Sequence, residues 1–378
     1  MLTKVRFKNF RSFTKETIIS FEASKSMILE DTNVKDDILK GCCFYGSNAS
    51  GKTNALNAIT ILLDLFFKNN AIDPTLITIF NKERVMYFEY TFKEASDTIV
   101  YYFEISRKGK ITKETLKINN KTMLTRLSNS AESFLTENKD YDNQSVDENT
   151  LFLKKIYFNT GFVEYPNLKN CFEYLKKSVF FNPVRQIGQL VFFDASKVKE
   201  LELLSYLNEN GTDEINDFFK EFNFPYKIKY NKPNGIFPSP MTDIRFVRTE
   251  LEDIPFFMES YGNKVLLSIL PAFLTVVKNG GILAIDEFSS GLHNNLEALL
   301  IKYFYKYSKN AQLIFVSHST NLLSTSILRP DQIYSVDFDR EGSFVKKFSD
   351  EKPRESQNLE KMYLSGVFGG IPLYEGNH

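Results

Sequence analysis

The 378-residue chain has no tryptophan, only three cysteines and three histidines, and no net charge, Lys+Arg and Asp+Glu each numbering 47. Each shortage excludes something. With Cys42 and Cys43 adjacent and one cysteine left over, neither a disulfide framework nor a C-x-x-C metal clip is available, so a reducing cytoplasm is the expected setting. Balanced charge carries no overall signal for nucleic acid, an anionic membrane or an acidic substrate, although a local basic groove stays open. Long apolar runs are also missing. The longest, Val265 to Val277, contains Pro271 and is too short to span a bilayer. The opening Met1-Leu2-Thr3-Lys4-Val5-Arg6 lacks the apolar core of a signal peptide. Neither export nor a membrane span is expected.

Hydrophobic residues make up 43% of the chain, ample for the core of one large domain or two. Val5 to Phe10 alternates apolar with polar and reads as a strand with one solvated face. The run Cys42-Cys43-Phe44-Tyr45 leads into Gly46, after which Leu56, Ile59, Leu63 and Phe66 share one side of a helix. From Val85 to Leu127 the period falls to two, with turn residues at Ser96-Asp97, Lys108-Gly109 and Asn119-Asn120, and an antiparallel meander is expected. Ser128 to Thr150 is polar and acidic and reads as an exposed loop or disordered insert. Helical patterning follows between Leu151 and Phe224, and a Pro/Gly-rich stretch from Asn231 to Pro240 marks a boundary. The last third alternates helix and apolar strand, which implies a parallel sheet covered on both faces.

Gly46-Ser47-Asn48-Ala49-Ser50-Gly51-Lys52-Thr53 matches G-x-x-x-x-G-K-[ST] in full and lies between the expected strand and helix. Such a loop surrounds phosphates with backbone N–H groups. Lys52 would reach the β and γ oxygens of ATP, and Thr53 would ligate Mg²⁺. Ile282-Leu283-Ala284-Ile285-Asp286-Glu287 is an apolar strand ending in two carboxylates, as in a Walker B, with Asp286 for Mg²⁺ and Glu287 for the attacking water. Ser260-Tyr261-Gly262 opens a helix upstream of it, and Ser260 and Gly262 suit a γ-phosphate, a plain helix cap being the alternative. His318 follows the strand Leu313-Ile314-Phe315-Val316, where an imidazole can distinguish ATP from ADP.

These elements, with a D-loop at Ser289-Ser290-Gly291-Leu292-His293, stand in the order of ABC-type ATPases. The family's Q-loop glutamine has no placed equivalent, Gln186 and Gln189 lying too far into the insert. Asn9-Phe10-Arg11-Ser12-Phe13 and the P-loop followed by Asn54 resemble the RecF, SMC and OLD-like branch. Glu259-Ser260-Tyr261-Gly262, Ser317-His318-Ser319-Thr320-Asn321-Leu322-Leu323, Arg329-Pro330-Asp331-Gln332-Ile333 and the stretch from Tyr363 to Pro372 resemble AAA-like ATP-binding proteins of abortive-infection and RloA type. The resemblance places Arg11 and Asn54 beside the nucleotide. It implies an α/β P-loop NTPase with an ABC-type head, a split core, an antiparallel β subdomain and a helical insert. The expected division is an ATPase lobe over 1–127, a polar linker and mainly helical insert over 128–250, and a second ATPase lobe over 251–378.

The resemblance further implies a bacterial anti-phage ATPase, dimeric or larger, that controls a separately encoded effector, often a nuclease. Duplex DNA is the alternative partner, and a sensor that binds ATP without hydrolysing it is a third reading. No fused TOPRIM nuclease is expected: Asp337 and Asp339 form a DxD, but too little chain follows, and Gly342 suits a hairpin turn.

Overall fold

The computed structural model describes residues 1–68, 72–80, 82–83, 85–136, 144–184, 202–231 and 244–371, together with the backbone of 189–192. In chain order the first elements are β1 (Leu2–Lys8), β2 (Thr17–Ser20), α1 (Glu30–Asn33), the short pair β3 (Val34–Lys35) and β4 (Ile38–Leu39), β5 (Gly41–Tyr45) and α2 (Lys52–Phe67). Next come β6 (Val85–Glu94), β7 (Asp97–Ser106), β8 (Ile111–Ile118), β9 (Lys121–Leu127), β10 (Ser130–Ser133) and β11 (Gln144–Ser145). The middle holds α3 (Phe152–Thr160), α4 (Pro166–Lys176), β12 (Val179–Asn182), β13 (Gln189–Phe192), α5 (Leu203–Asn210), α6 (Asp213–Glu221), β14 (Lys227–Tyr230), β15 (Ile244–Val247) and β16 (Ile254–Pro255). The chain continues through α7 (Tyr261–Asn279), β17 (Gly281–Ile285), α8 (Asn294–Tyr307), β18 (Ala311–Val316), β19 (Ile333–Asp339), β20 (Gly342–Lys347) and α9 (Leu359–Leu364).

Sequence-distant strands build the central seven-stranded sheet, in the order β13-β12-β17-β18-β5-β19-β20. Strands β12, β17, β18, β5 and β19 run parallel, and β13 and β20 close the edges antiparallel. Side chains alternate across the pleat, so consecutive apolar residues feed two cores. Cys42, Phe44, Ile282, Ala284, Ile314 and Val316 join α2, α4 and the meander on one face. Cys43, Tyr45, Leu283, Ile285, Leu313 and Phe315 join α7 and α8 on the other. The two α/β stretches of the sequence are therefore halves of one sheet, as expected.

The meander is an eight-stranded antiparallel sheet ordered β11-β10-β9-β8-β7-β6-β1-β2. The expected exposed loop over 128–150 is instead tied down where it is described. β10 extends the meander, and Arg126 donates to the carbonyls of Ser128 (2.8 Å), Asp147 (2.8 Å) and Thr150 (2.7 Å). Polar composition hid this because the anchoring groups are backbone carbonyls. Arg126 also pairs with the fully buried Glu114 at 3.0 Å, and Glu114 accepts the N–H groups of Phe152 and Leu153 at the start of α3. One buried ion pair thus joins the meander to the helical layer.

The segment read as helical from Leu151 contains β12, which pairs in parallel with the Walker B strand β17. Burial on both faces makes Val179-Phe180-Phe181 a sheet strand, although it follows helix α4 closely; β13 comes next, antiparallel to it. The DxD segment forms the expected β19–β20 hairpin, but its turn is Arg340-Glu341, and Gly342 opens β20 opposite Asp339. Among the described residues no helix is long and apolar enough to cross a membrane.

Candidate functional site

The fully buried β5 runs into the glycine-rich loop, and α2 starts at Lys52. At Gly51 φ is +110°, and a Cβ there would stand 2.4 Å from Ser343 Oγ and 2.9 Å from Ser12 Oγ, so only glycine fits. Those two serines clamp the loop from outside. Ser343 Oγ donates to the Ser50 carbonyl (2.6 Å) and shares a hydrogen bond with Ser12 Oγ (2.7 Å). Asn54 donates to Ser12 Oγ (2.8 Å) and accepts from Arg11 (3.2 Å), so Arg11 and Asn54 meet at the start of α2. Within the loop Asn48 and Ala49 are exposed and Ser47 is half-buried, while the enclosed Ser50 hydroxyl has no hydrogen-bond partner among the described residues.

Lys52 is 6% exposed, and its ammonium donates to the carbonyls of Gly46 (3.0 Å) and Ser47 (2.8 Å). Burial holds its pKa below the ordinary lysine value, against the opposing pull of Glu287 and Asp286. Thr53 Oγ1 donates to Asp286 Oδ1 at 3.0 Å, which joins the loop to the end of β17 across 233 residues of sequence. Asp286 is 5% exposed and also accepts from Asn182 Nδ2 at 3.2 Å.

Glu287 adopts a left-handed backbone, φ +55°, a conformation that costs a non-glycine residue about 1 to 3 kcal/mol and that clusters at functional sites. Its Oε2 lies 3.6 Å from Nε2 of His318, and the imidazole at the end of β18 holds the carboxyl below the usual glutamate range, helped by Lys52 and opposed by burial. The backbone N–H of His318 donates to Ser289 Oγ of the D-loop at 3.2 Å.

Ser260 caps α7, its hydroxyl accepting from the N–H of Asn263 at 3.3 Å. A Cβ on Gly262 would lie 2.5 Å from the Gly291 carbonyl oxygen, so the start of α7 packs directly on the D-loop. Tyr261 donates to the Pro183 carbonyl, and Asn263 accepts from Tyr226 at 2.9 Å. Among the described residues, the recorded contacts of Ser260 and Gly262 stay with α7, Glu259 and the D-loop and do not reach the phosphate loop. The structure therefore groups Lys52, Thr53, Asp286, Glu287 and His318 in one cluster and Ser260 with Gly262 in another.

Sequence reasoning missed three contributors. Asn182 ends β12 beside Asp286; Gln186 lies outside the described residues, and Gln189 begins β13. An isolated apolar triad before Asn182 was the available signal. Ser343 carried none. The third is the C-terminal segment: Tyr363 packs its ring on Tyr45 at 5.8 Å and donates to the Gly370 carbonyl, while a Cβ on Gly370 would sit 3.4 Å from the Cα of Gly46. Gly370 is held there by Asp337, which accepts its N–H at 3.1 Å.

Residues 172–324 match a family described as "AAA domain, putative AbiEii toxin, Type IV TA system". Searches among curated proteins give no match. Among solved structures, the SMC head domain from Thermotoga maritima is 17% identical, covering 92% of this chain and 98% of its own, with a TM-score of 0.50. An SMC head bound to the C-terminal winged-helix domain of ScpA is 15% identical, covering 96% of this chain and 99% of its own, also with a TM-score of 0.50. The fold is an SMC-head-like P-loop NTPase of mixed α/β content, the class expected from the sequence.

Proposed function

We propose that this chain is a Mg²⁺-dependent ATPase that works as an ATP-gated dimeric switch. The carrying observation is the convergence at Asp286: Thr53 from the phosphate loop and Asn182 from β12 both hydrogen-bond it, next to the Glu287–His318 pair. The residues fit the ligand. Thr53 and Asp286 are hard oxygen donors 3.0 Å apart, and no cluster of three His, Cys, Asp or Glu among the described residues would hold a metal alone. Mg²⁺ would thus be held by Thr53 and Asp286 together with ATP, and it would neutralise charge on the phosphates.

Lys52 would exchange the carbonyls of Gly46 and Ser47 for the β and γ oxygens, while the loop N–H groups and the start of α2 bind the phosphates. Arg11 and Asn54, hydrogen-bonded to each other at the start of α2, would contact the nucleotide from there. Glu287 remains a carboxylate at neutral pH and would accept a hydrogen bond from the attacking water, and His318 would donate to the γ-phosphate and register its loss.

As the resemblance to ABC-type ATPases implies, we assign Ser260 and Gly262 to the γ-phosphate of a second copy's ATP; among the described residues their contacts stay with α7, Glu259 and the D-loop. Two chains would then enclose two nucleotides, and hydrolysis would loosen the pair slowly. We place this switch in the cytoplasm, in abortive-infection defence, controlling a separately encoded effector such as a nuclease. The matched family's description and the C-terminal motifs support that setting. Co-purification with the neighbouring gene's product, with and without ATP, tests it. Steep salt-dependent duplex binding by the chain alone would instead favour a DNA-repair role.

The ATPase itself is tested by two variants. Lys52→Ala is expected to abolish ATP binding, and Glu287→Gln to bind ATP but lose about 10²-fold or more in phosphate release. Unchanged phosphate release in both would sink the assignment.

A further inference from the structure

Glu297 lies in the first turn of α8 and is 0% exposed, yet it takes part in no ion pair among the described residues. An unpaired buried carboxyl is costly, so its contacts are informative. Its Oε1 accepts from Ser319 Oγ at 2.9 Å and its Oε2 from Ser317 Oγ at 3.4 Å. These serines flank His318 on either side. Ser317 Oγ in turn accepts the N–H of Ser319 at 3.0 Å, and Tyr45 donates to the Ser319 carbonyl at 3.0 Å. One carboxyl therefore grips both ends of the three-residue loop whose middle residue faces Glu287.

We propose that Glu297 is a positioning residue for His318: by holding Ser317 and Ser319 from beneath, it sets the imidazole opposite Glu287 and so tunes the site's response to the γ-phosphate. The inference rests on the reading of His318 as the γ-phosphate contact. A hydroxyl pair and a helix would hold the loop without a carboxyl; a carboxyl adds a charge that the site can gain or lose.

The groups facing Glu297 from the packed elements are Asn294 on its own helix, Ser317 and Ser319 on the switch loop, and Cys43 and Tyr45 on β5. None is charged near neutrality, because burial pushes the Cys43 thiol and the Tyr45 phenol far up. Burial likewise raises the Glu297 carboxyl to about 7, with the two serine hydroxyls pulling the other way. Between about pH 6 and 8 it passes from a neutral acid to an anion, and its bonds from the two hydroxyls become charge-assisted.

The test compares the full-length chain with Glu297→Gln, which keeps the size and an acceptor but cannot titrate. With ¹³C-labelled histidine, the His318 resonance, assigned through His318→Asn, is followed from pH 5.5 to 8.5 without nucleotide. The expected result is a His318 signal displaced in Glu297→Gln across the whole range. In hydrolysis assays kcat is expected to fall several-fold with little change in KM, and its rise through pH 7 to flatten. Should Glu297→Gln fail to fold, Ser319→Ala removes the 2.9 Å bond, together with the longer one to Asn294, keeps the bond from Ser317, and is expected to move the His318 signal too. A His318 resonance and pH profile identical in the parent and the variant overturn the proposal. Because the resonance is read without ATP, an absence of hydrolysis would count against the ATPase reading and not against this one.

Discussion

Replacing Gly262 by alanine sets two effects of opposite sign against each other. Gly262 is the second residue of α7 in an ordinary helical conformation, so Gly262→Ala favours the helix by at most about 1 kcal/mol. The new Cβ would stand 2.5 Å from the Gly291 carbonyl oxygen, nearly an ångström inside ordinary contact, and a backbone atom cannot rotate away. Overpacking of this kind costs about 1 to 3 kcal/mol. The net loss of global stability therefore lies between zero and roughly 3 kcal/mol, a Tm shift of a few degrees for a chain of this size. The displacement falls on the D-loop, whose Ser289 carries the N–H of His318. Lys52, Thr53 and Asp286 are untouched. Gly262→Ala should thus bind ATP normally in a fluorescence titration, melt within a few degrees of the parent, and lose about tenfold or more in phosphate release. Full-rate hydrolysis by this variant would refute the idea that the contact between α7 and the D-loop is part of the site.

Two further outcomes are expected. Asn182→Ala removes the 3.2 Å bond to Asp286, so the Mg²⁺ concentration supporting half-maximal phosphate release should rise about tenfold, within the range seen for groups that orient a ligand; an unchanged Mg²⁺ titration would remove Asn182 from the site. Glu297 has a folded-state pKa raised to about 7 from an ordinary 4.5, so its contribution to stability is full below 4.5 and is lost as pH rises toward and through 7. Denaturant unfolding should then show up to about 3 kcal/mol less stability from this residue at pH 8 than at pH 4.5, and Glu297→Gln should remove that slope.

What was legible in the sequence was chemistry that constrains residue type and neighbourhood together. Gly46 to Thr53 between strand and helix, and Asp286-Glu287 after four apolar residues, require specific side chains at fixed places, and the structure brings Thr53 to Asp286. The meander was legible because period-two patterning is local. Strand β12 was not: Val179-Phe180-Phe181 follows helix α4 in a stretch patterned as helical, and it is a strand because β17, about a hundred residues onward, offers it an edge. Asn182 was hidden with it. Ser12 and Ser343, 331 residues apart, meet over Gly51 only through folding, and no motif marks Ser343. Gly370 reaches Gly46 by the same kind of long-range return.

The central claim is that ATP is shared between two copies, with Ser260 of one completing the site of the other. The direct measurement is the light-scattering mass of Glu287→Gln in Mg²⁺ with ATP or ADP, beside the double variant Glu287→Gln/Ser260→Arg. The account expects Glu287→Gln to double its mass with ATP alone, and the double variant to bind ATP yet remain at the mass of one chain. A double variant that still pairs with ATP, or a Glu287→Gln chain whose mass ignores the nucleotide, would contradict it.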